Sequence, residues 1–324
     1  MKKNLIIFGT RPEAIKMAPL VKEFQKHQDT FDTKVCITAQ HREMLDQVLE
    51  FFEITPDYDL DLMKPNQNLY GLTADIITNL KPIFEAFQPD YVYVHGDTST
   101  TMASSIAAFY SGAKVCHVEA GLRTFNMRSP FPEEMNRRVA GVISDYHFSP
   151  TQTSHDNLMN ENVNKDNILI TGNTVIDALM FSSEKLKRAD YTDSEIESLK
   201  TSLDFSKKTI LVTGHRRENH GQGFINICKA LQTIANDHPD TEIVYPVHLN
   251  PNVQKPVYEY LDGIDNIKLI KPLSYPAFVW LMEKSHLIIT DSGGVQEEAP
   301  SLGKPVLVMR DTTARPEAVD AGTV

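Results

Sequence analysis

LIITDSGGVQEEAPSLGKPVLVMRD, Leu287 to Asp311, is the stretch that decides the fold. The run LIIT is β-branched and apolar, as a strand buried on both faces must be. Asp291 ends it, Gly293 and Gly294 follow, and a helix carrying Glu297 and Glu298 begins. After Gly303 the apolar run PVLV starts a second strand. Strand, helix and strand joined by short turns make a βαβ unit with parallel strands. An earlier stretch, YVYVHGDTSTTMASSIAAFYSGAKVCHVEAG from Tyr91 to Gly121, has the same order of landmarks. It too runs strand, Asp followed by Ser or Thr, small-residue helix, Gly, strand.

The repetition extends further. LIIFGTRPE opens the first half and ILVTGHRRE the second, so that Gly9, Arg11 and Glu13 stand against Gly214, Arg216 and Glu218. Between these landmarks, further strand candidates are TKVCITA, YHFS, NILITG, TEIVYPVH and NIKLIKP. Helical patterns separate most of them: PEAIKMAPLVKEFQKH, LYGLTADIITNLKPIFEAFQ, GFINICKALQTIANDH and AFVWLMEKS. This alternation predicts an α/β fold of two Rossmann-like doubly wound domains facing a cleft. The first domain is expected over residues 1–172 and the second over 173–324, with a polar surface helix and linker between about Asp190 and Lys208. Ligands of such sheets bind beyond the carboxyl ends of the strands, where both sets of motifs lie.

Composition narrows the function classes. The chain has 324 residues, 41% of them hydrophobic, and a net charge of −11. That charge disfavours a nucleic-acid or anionic-membrane partner. No apolar run approaches the ~18 residues of a membrane span, and the run after Met1 is too short for a signal peptide. Cys36, Cys116 and Cys228 are far apart in apolar stretches, which predicts buried thiols in a reducing cytoplasm.

Several residues at predicted strand ends have the chemistry of a site. Bare glycines at a helix start let an anion approach free N–H groups and the positive end of the helix dipole. Gly293 and Gly294 suit a phosphate, and a glutamate one turn later suits sugar hydroxyls; a tight turn with solvent-facing acids is the alternative. Arg11 and Lys16 lie beside the first helix start, against the dipole preference, so an anion is expected to compensate them. Asp97 ends a strand without a glycine-rich phosphate loop. His117 and Glu119 alternate along another strand, followed by Arg123, Arg128, Glu133 and Glu134, the last read as a helix-start acid. His-x-Glu lacks the further ligands of a zinc motif, so no metal is expected. Grouped carboxylates at strand ends are instead acid–base or sugar-binding groups. His215 beside Arg216 and Arg217 is an acid–base candidate near neutral pH, and His248 ends another strand. GQGFIN, Gly221 to Asn226, lacks the third glycine and the preceding strand of a dinucleotide fingerprint. Phe278 and Trp280 read as core, Phe278 also as a ring for a base to stack on. Arg315 repeats Arg-Pro-Glu past the last clear strand.

Taken in order, GTRPEAIKMAP, HGDTSTT, HVEAGLRT, SPFPEEMNR, ITGNTVIDAL, TGHRREN, VHLNPNV, FVWLM and TDSGGVQEEAPSLGKPVLVMRDTTARPEA resemble the bacterial non-hydrolysing UDP-N-acetylglucosamine 2-epimerases, from Gly9 to Val324. The resemblance implies a fold of glycosyltransferase-B type. It implies reversible conversion of UDP-N-acetylglucosamine to UDP-N-acetylmannosamine for cell-envelope polysaccharide synthesis, in a cytoplasmic homodimer. Residue by residue, it implies UDP contacts at Arg11, Lys16, His248, Phe278, Ser292, Gly293, Gly294, Glu298 and Arg315. It implies catalytic roles for Asp97, Glu119, Glu133 and His215. Gln40, His41 and Met44, in AQHREM, match a segment at which members bind a second UDP-N-acetylglucosamine as activator. Leu273 stands where some members have glutamine, which leaves one uracil contact in doubt. The family continues past Val324, so the second domain is expected to lack its closing helix.

Carbon 2 of the sugar bears an acetamido nitrogen and no adjacent carbonyl, so its proton is weakly acidic. Coupling its loss to departure of UDP from carbon 1 avoids a free carbanion and leaves 2-acetamidoglucal; re-addition on the other face inverts carbon 2. That route needs a base, an acid and cations for the leaving UDP, and no cofactor. Asp97 with Glu119 or Glu133 is expected to move the protons, with His215 near the leaving oxygen. The alternatives are a hydrolysing epimerase, which releases free sugar, and a UDP-sugar transferase of the same fold.

Overall fold

A computed structural model describes residues 1–38, 42–62, 64, 67–310, 319, 322 and 324. The chain divides into two compact units, Met1–Ala178 and Leu179–Val324. The first holds strands β1 (Lys2–Phe8), β2 (Phe31–Ile37), β3 (Tyr58–Asp59), β4 (Tyr91–His95), β5 (Lys114–Val118), β6 (Tyr146–Ser149) and β7 (Ile168–Ile170). They form one parallel sheet in the order β3-β2-β1-β4-β5-β6-β7. Its helices are α1 (Arg11–Gln25), α2 (Arg42–Phe51), α3 (Leu69–Phe87), α4 (Ser99–Ser111), α5 (Glu133–Ile143), α6 (Gln152–Asn160) and α7 (Thr174–Leu186), in which the division between the units falls. The chain winds outward from β1 to β3, then returns to β4 and winds the other way. The strand order therefore reverses between β1 and β4.

The second unit repeats the plan. It adds α8 (Ser194–Ser202), β8 (Lys208–Thr213), α9 (Gln222–Asp237), β9 (Thr241–Pro246), α10 (Pro251–Leu261), β10 (Ile267–Ile270), α11 (Tyr275–Lys284), β11 (Leu287–Thr290), α12 (Gly293–Ser301) and β12 (Val306–Val308). The parallel order β10-β9-β8-β11-β12 reverses between β8 and β11. The α/β doubly wound class read from the sequence is the one observed.

Period-3.6 burial explains the helices. α3 turns Leu72, Ile76, Leu80, Ile83, Phe84 and Phe87 inward against Leu5 and Ile7 of β1. α9 does the same with Phe224, Cys228, Leu231 and Ala235 against Ile210 and Val212 of β8. α1 begins with a reciprocal capping box between Thr10 and Glu13. The polar stretch read as a linker is part of the second unit. Ile196 and Leu199 of α8 are buried, and Glu195 accepts hydrogen bonds from the amide and hydroxyl of Ser274. Among the described residues no helix is long and apolar enough to cross a membrane.

Two buried histidines make the first unit acid-labile. His117 and His147 are register partners on β5 and β6, each 1% exposed. Burial pushes His117 down to about 3 and His147 to about 4. Each stays neutral in the folded chain while its unfolded counterpart takes up a proton below about 6.5. Stability is therefore complete above that value and falls, as pH drops toward 4, by about 1.4 kcal/mol per pH unit for each histidine. His147→Gln is expected to flatten the pH dependence of hydrogen exchange on β5 and β6 between pH 6.5 and 4.5. An unchanged slope would remove His147 as the cause.

Candidate active site

In the first unit the turns after β1 and β4 meet at the switch point. Gly9 sits so tightly there that an added Cβ would lie 2.0 Å from the Thr38 hydroxyl oxygen. Glu13, 2% exposed, ties the two turns together. Its Oε2 accepts from the amides of Gly9 (3.1 Å) and Thr10 (2.8 Å), and its Oε1 from the Thr98 hydroxyl (2.7 Å). The glutamate of the Gly-x-Arg-x-Glu echo is thus a strut.

Around that strut stand two carboxylates, each clamped by a cation. Glu119 follows β5 in a left-handed conformation, φ 59°, unusual for a residue with a side chain. Its Oε2 takes the ammonium of Lys16 and lies 3.4 Å from Nε2 of His95. Burial acts to raise the Glu119 carboxyl, but Lys16 and His95 outweigh it and hold the group well below the usual carboxylate range. Asp97 is paired with the guanidinium of Arg137, and its carbonyl accepts from Asn136 Nδ2 at 2.9 Å. Arg137 also lies 3.4 Å from Glu134. Glu134 is wholly buried and accepts from the amides of Thr124 (3.0 Å) and Phe125 (3.1 Å), which makes it a loop anchor. Glu133, its neighbour, has a buried Oε2 with no hydrogen-bond partner among the described residues. An uncompensated buried carboxylate oxygen is costly.

The expected His117–Glu119 alternation does not hold. β5 ends at Val118 and the left-handed turn at Glu119 breaks the two-residue period. His117 instead meets the Gly96 carbonyl through Nε2 at 2.7 Å, and the histidine facing Glu119 is His95. The anion expected to compensate Lys16 is, in the structure, Glu119 itself. Arg11 opens α1, half-buried.

The second unit builds a different surface at its switch point. Asp291, 0% exposed, takes the strut role. Its Oδ2 accepts from the amides of His215 (2.9 Å) and Arg216 (2.8 Å) and from Asn219 Nδ2 (3.2 Å). Glu218, the counterpart of Glu13 in sequence, pairs instead with Arg310 at 2.6 Å. His215 stacks on the ring of His248, centroids 5.5 Å apart and planes at 21°. Nδ1 of His248 accepts from the Asn250 amide at 3.1 Å, so in the neutral ring Nε2 carries the proton.

Beside this pair α12 starts open. Its N-cap, Ser292, makes no side-chain capping hydrogen bond. Neither Gly293 nor Gly294 has positive φ. A Cβ on Gly293 would come no nearer than 4.0 Å to Arg216 Nη2, and one on Gly294 no nearer than 3.5 Å to Glu298 Oε2. The fold itself has room for side chains at both positions. Glu298 lies one turn in, 8% exposed. Phe278 on α11 is half-buried, while Trp280 is buried edge-on to Phe205 at 5.5 Å. Met44 on α2 is 46% exposed. Gln40, His41 and Arg315 lie outside the described residues. Among the described residues no three of His, Cys, Asp and Glu are grouped to hold a metal.

Residues 22–324 match the family described as UDP-N-acetylglucosamine 2-epimerase. The UDP-N-acetylglucosamine 2-epimerase of Escherichia coli K12 is 60% identical over 322 residues, 99% of this chain and 85% of that protein. The epimerase of Campylobacter jejuni is 57% identical, over 100% of this chain and 85% of that protein. The chain belongs to the UDP-N-acetylglucosamine 2-epimerase family. The crystal structure of the Neisseria meningitidis epimerase bound to UDP-GlcNAc matches with a TM-score of 0.90 and 57% identity, over 99% of this chain and 86% of that one. The resemblance to bacterial non-hydrolysing epimerases is thereby borne out, and the enzyme class is isomerase.

For this epimerase family the sequence motifs held more than was read from them. His95 is the last residue of β4, inside the quoted HGD; Arg137 and Asn136 lie one turn beyond Glu133 on α5. Asp291 reads in sequence only as the end of a strand. Each is a partner of a candidate residue, and pairing across strands leaves no local mark in the sequence.

Proposed function

We propose that the chain interconverts UDP-N-acetylglucosamine and UDP-N-acetylmannosamine by eliminating UDP to 2-acetamidoglucal and adding it back, with retention of the nucleotide. The observation that carries this is the open start of α12, where two glycines needed neither by φ nor by packing stand ahead of the buried Glu298. Phosphate on the free amides, ribose on Glu298 and a base against Phe278 is the arrangement a uridine diphosphate would take. His248, Ser292, Arg11, Lys16 and Arg315 complete its contacts in this reading. Asp97, Glu119 and Glu133 supply proton transfer. Glu119, held ionised by Lys16 and His95, suits an acceptor, and Arg137 holds Asp97. His215 acts at the leaving oxygen.

In the same reading Gln40, His41 and Met44 receive a second UDP-N-acetylglucosamine as activator, and the chain works as a homodimer. Its product feeds cell-envelope polysaccharide synthesis. The free buried thiols Cys36, Cys116 and Cys228 favour the reducing cytoplasm as its place.

Incubation with UDP-N-acetylglucosamine in deuterated water, followed by proton NMR, tests the function. Deuterium at carbon 2 of both UDP-sugar epimers is the expected result. Accumulation of free N-acetylmannosamine would assign hydrolysis instead. Nucleotide binding without exchange would reduce the chain to a sensor.

A further inference from the structure

Asp291 offers more than a strut. One oxygen, Oδ2, is saturated by two amides and Asn219. The other, Oδ1, is buried and has no hydrogen-bond partner among the described residues. It points to Nδ1 of His215 at 3.5 Å, an ion-pair distance at the limit of hydrogen bonding. A fully buried carboxylate oxygen held half an ångström short of its natural partner is a poised contact. The charged or titratable groups facing His215 are Asp291 from the end of β11, Arg216 from its own turn and His248 from the end of β9.

We propose that Asp291 is the buried counter-ion of His215, and that a diphosphate bound at the start of α12 draws a proton from solvent onto His215. This rests on the placing of the nucleotide proposed above. In the free protein, burial, Arg216 and His248 disfavour the charged ring against the pull of Asp291, and the balance lies below the ordinary histidine value. Neutral His215 then keeps its proton on Nδ1, toward Asp291, and presents the Nε2 lone pair outward. That lone pair repels a phosphate oxygen. A proton on Nε2 turns repulsion into a charge-assisted hydrogen bond, and the Nδ1–H closes on Oδ1 of Asp291. His248 carries its proton on Nε2 and donates from there. His215 is thus loaded as an acid by the group whose departure it then assists, and Asp291 acts through it as a positioning residue.

Calorimetry of UDP binding at pH 7.0 in buffers of different ionisation enthalpy counts the protons taken up. UDP's own terminal phosphate, with a pKa of about 6, is already about nine-tenths ionised at pH 7.0 and so releases at most about a tenth of a proton in any variant. Wild type is expected to take up at least about half a proton more than His215→Gln. Asp291→Asn keeps an acceptor for the two amides but turns its NH2 toward Nδ1, which forces the other tautomer, and its excess uptake should fall to nearly nothing. Equal uptake in wild type and His215→Gln, or full uptake in folded Asp291→Asn, overturns the proposal. Should Asp291→Asn not fold, nitrogen NMR of labelled histidines in the wild-type chain decides. The proton on Nδ1 of free His215 supports the proposal, and a proton on Nε2 ends it. Loss of all UDP binding by wild type would instead sink the function proposed above.

Discussion

Asp97→Asn is expected to lower carbon-2 proton exchange by about 10²-fold or more, in line with removal of a general acid–base group, while UDP affinity changes little. Asparagine preserves the shape and the acceptor facing Arg137, so the turn after β4 stays in place. It cannot accept the substrate proton. The measurement is deuterium incorporation under saturating UDP-N-acetylglucosamine, with UDP affinity by calorimetry as the control. Exchange at the wild-type rate would remove Asp97 from the proton relay and leave Glu119 and Glu133 to carry it.

Gly293→Val should cost UDP more than about 100-fold in affinity, roughly 2.7 kcal/mol. The expected loss is in binding, because the helix has the room. The new Cβ clears protein atoms by 4.0 Å and the backbone is already helical, so valine costs the helix nothing relative to glycine, the poorer helix former. The side chain instead covers the amides that a phosphate needs. Circular dichroism separates folding from binding. A folded variant with wild-type UDP affinity would move the nucleotide away from α12.

The architecture was legible because both sheets are built from runs buried on both faces and separated by amphipathic helices. Each strand candidate from NLIIFG to KPVLVMR is a strand in the structure. β3, only Tyr58–Asp59, is too short to carry a pattern; α2, α6, α7 and α10 lie outside the helical patterns named from the sequence, although α2 buries Leu45, Val48 and Leu49 and α10 buries Val253, Val257 and Leu261 at helical spacing. The internal echo was a sound guide to topology and a poor one to roles. Glu13 braces two turns while its counterpart Glu218 pairs with Arg310, and in the second unit the brace is Asp291. Equivalent positions in a doubled fold inherit backbone geometry; side-chain roles follow from what packs opposite. For the same reason the His117–Glu119 alternation expected from strand period fails, and His95, from the neighbouring strand, faces Glu119.

The most direct measurement of the central claim, that the carbon 1–oxygen bond to UDP breaks and re-forms, is an oxygen position-exchange experiment. UDP-N-acetylglucosamine labelled with oxygen-18 in the sugar–phosphate bridge is incubated with the wild-type chain and followed by phosphorus NMR. Elimination frees the β-phosphate to rotate before re-addition, so the label should spread from the bridge into the non-bridging positions as the carbon-2 epimers interconvert. Interconversion with the label held wholly in the bridge would contradict elimination and require inversion at carbon 2 with UDP attached throughout.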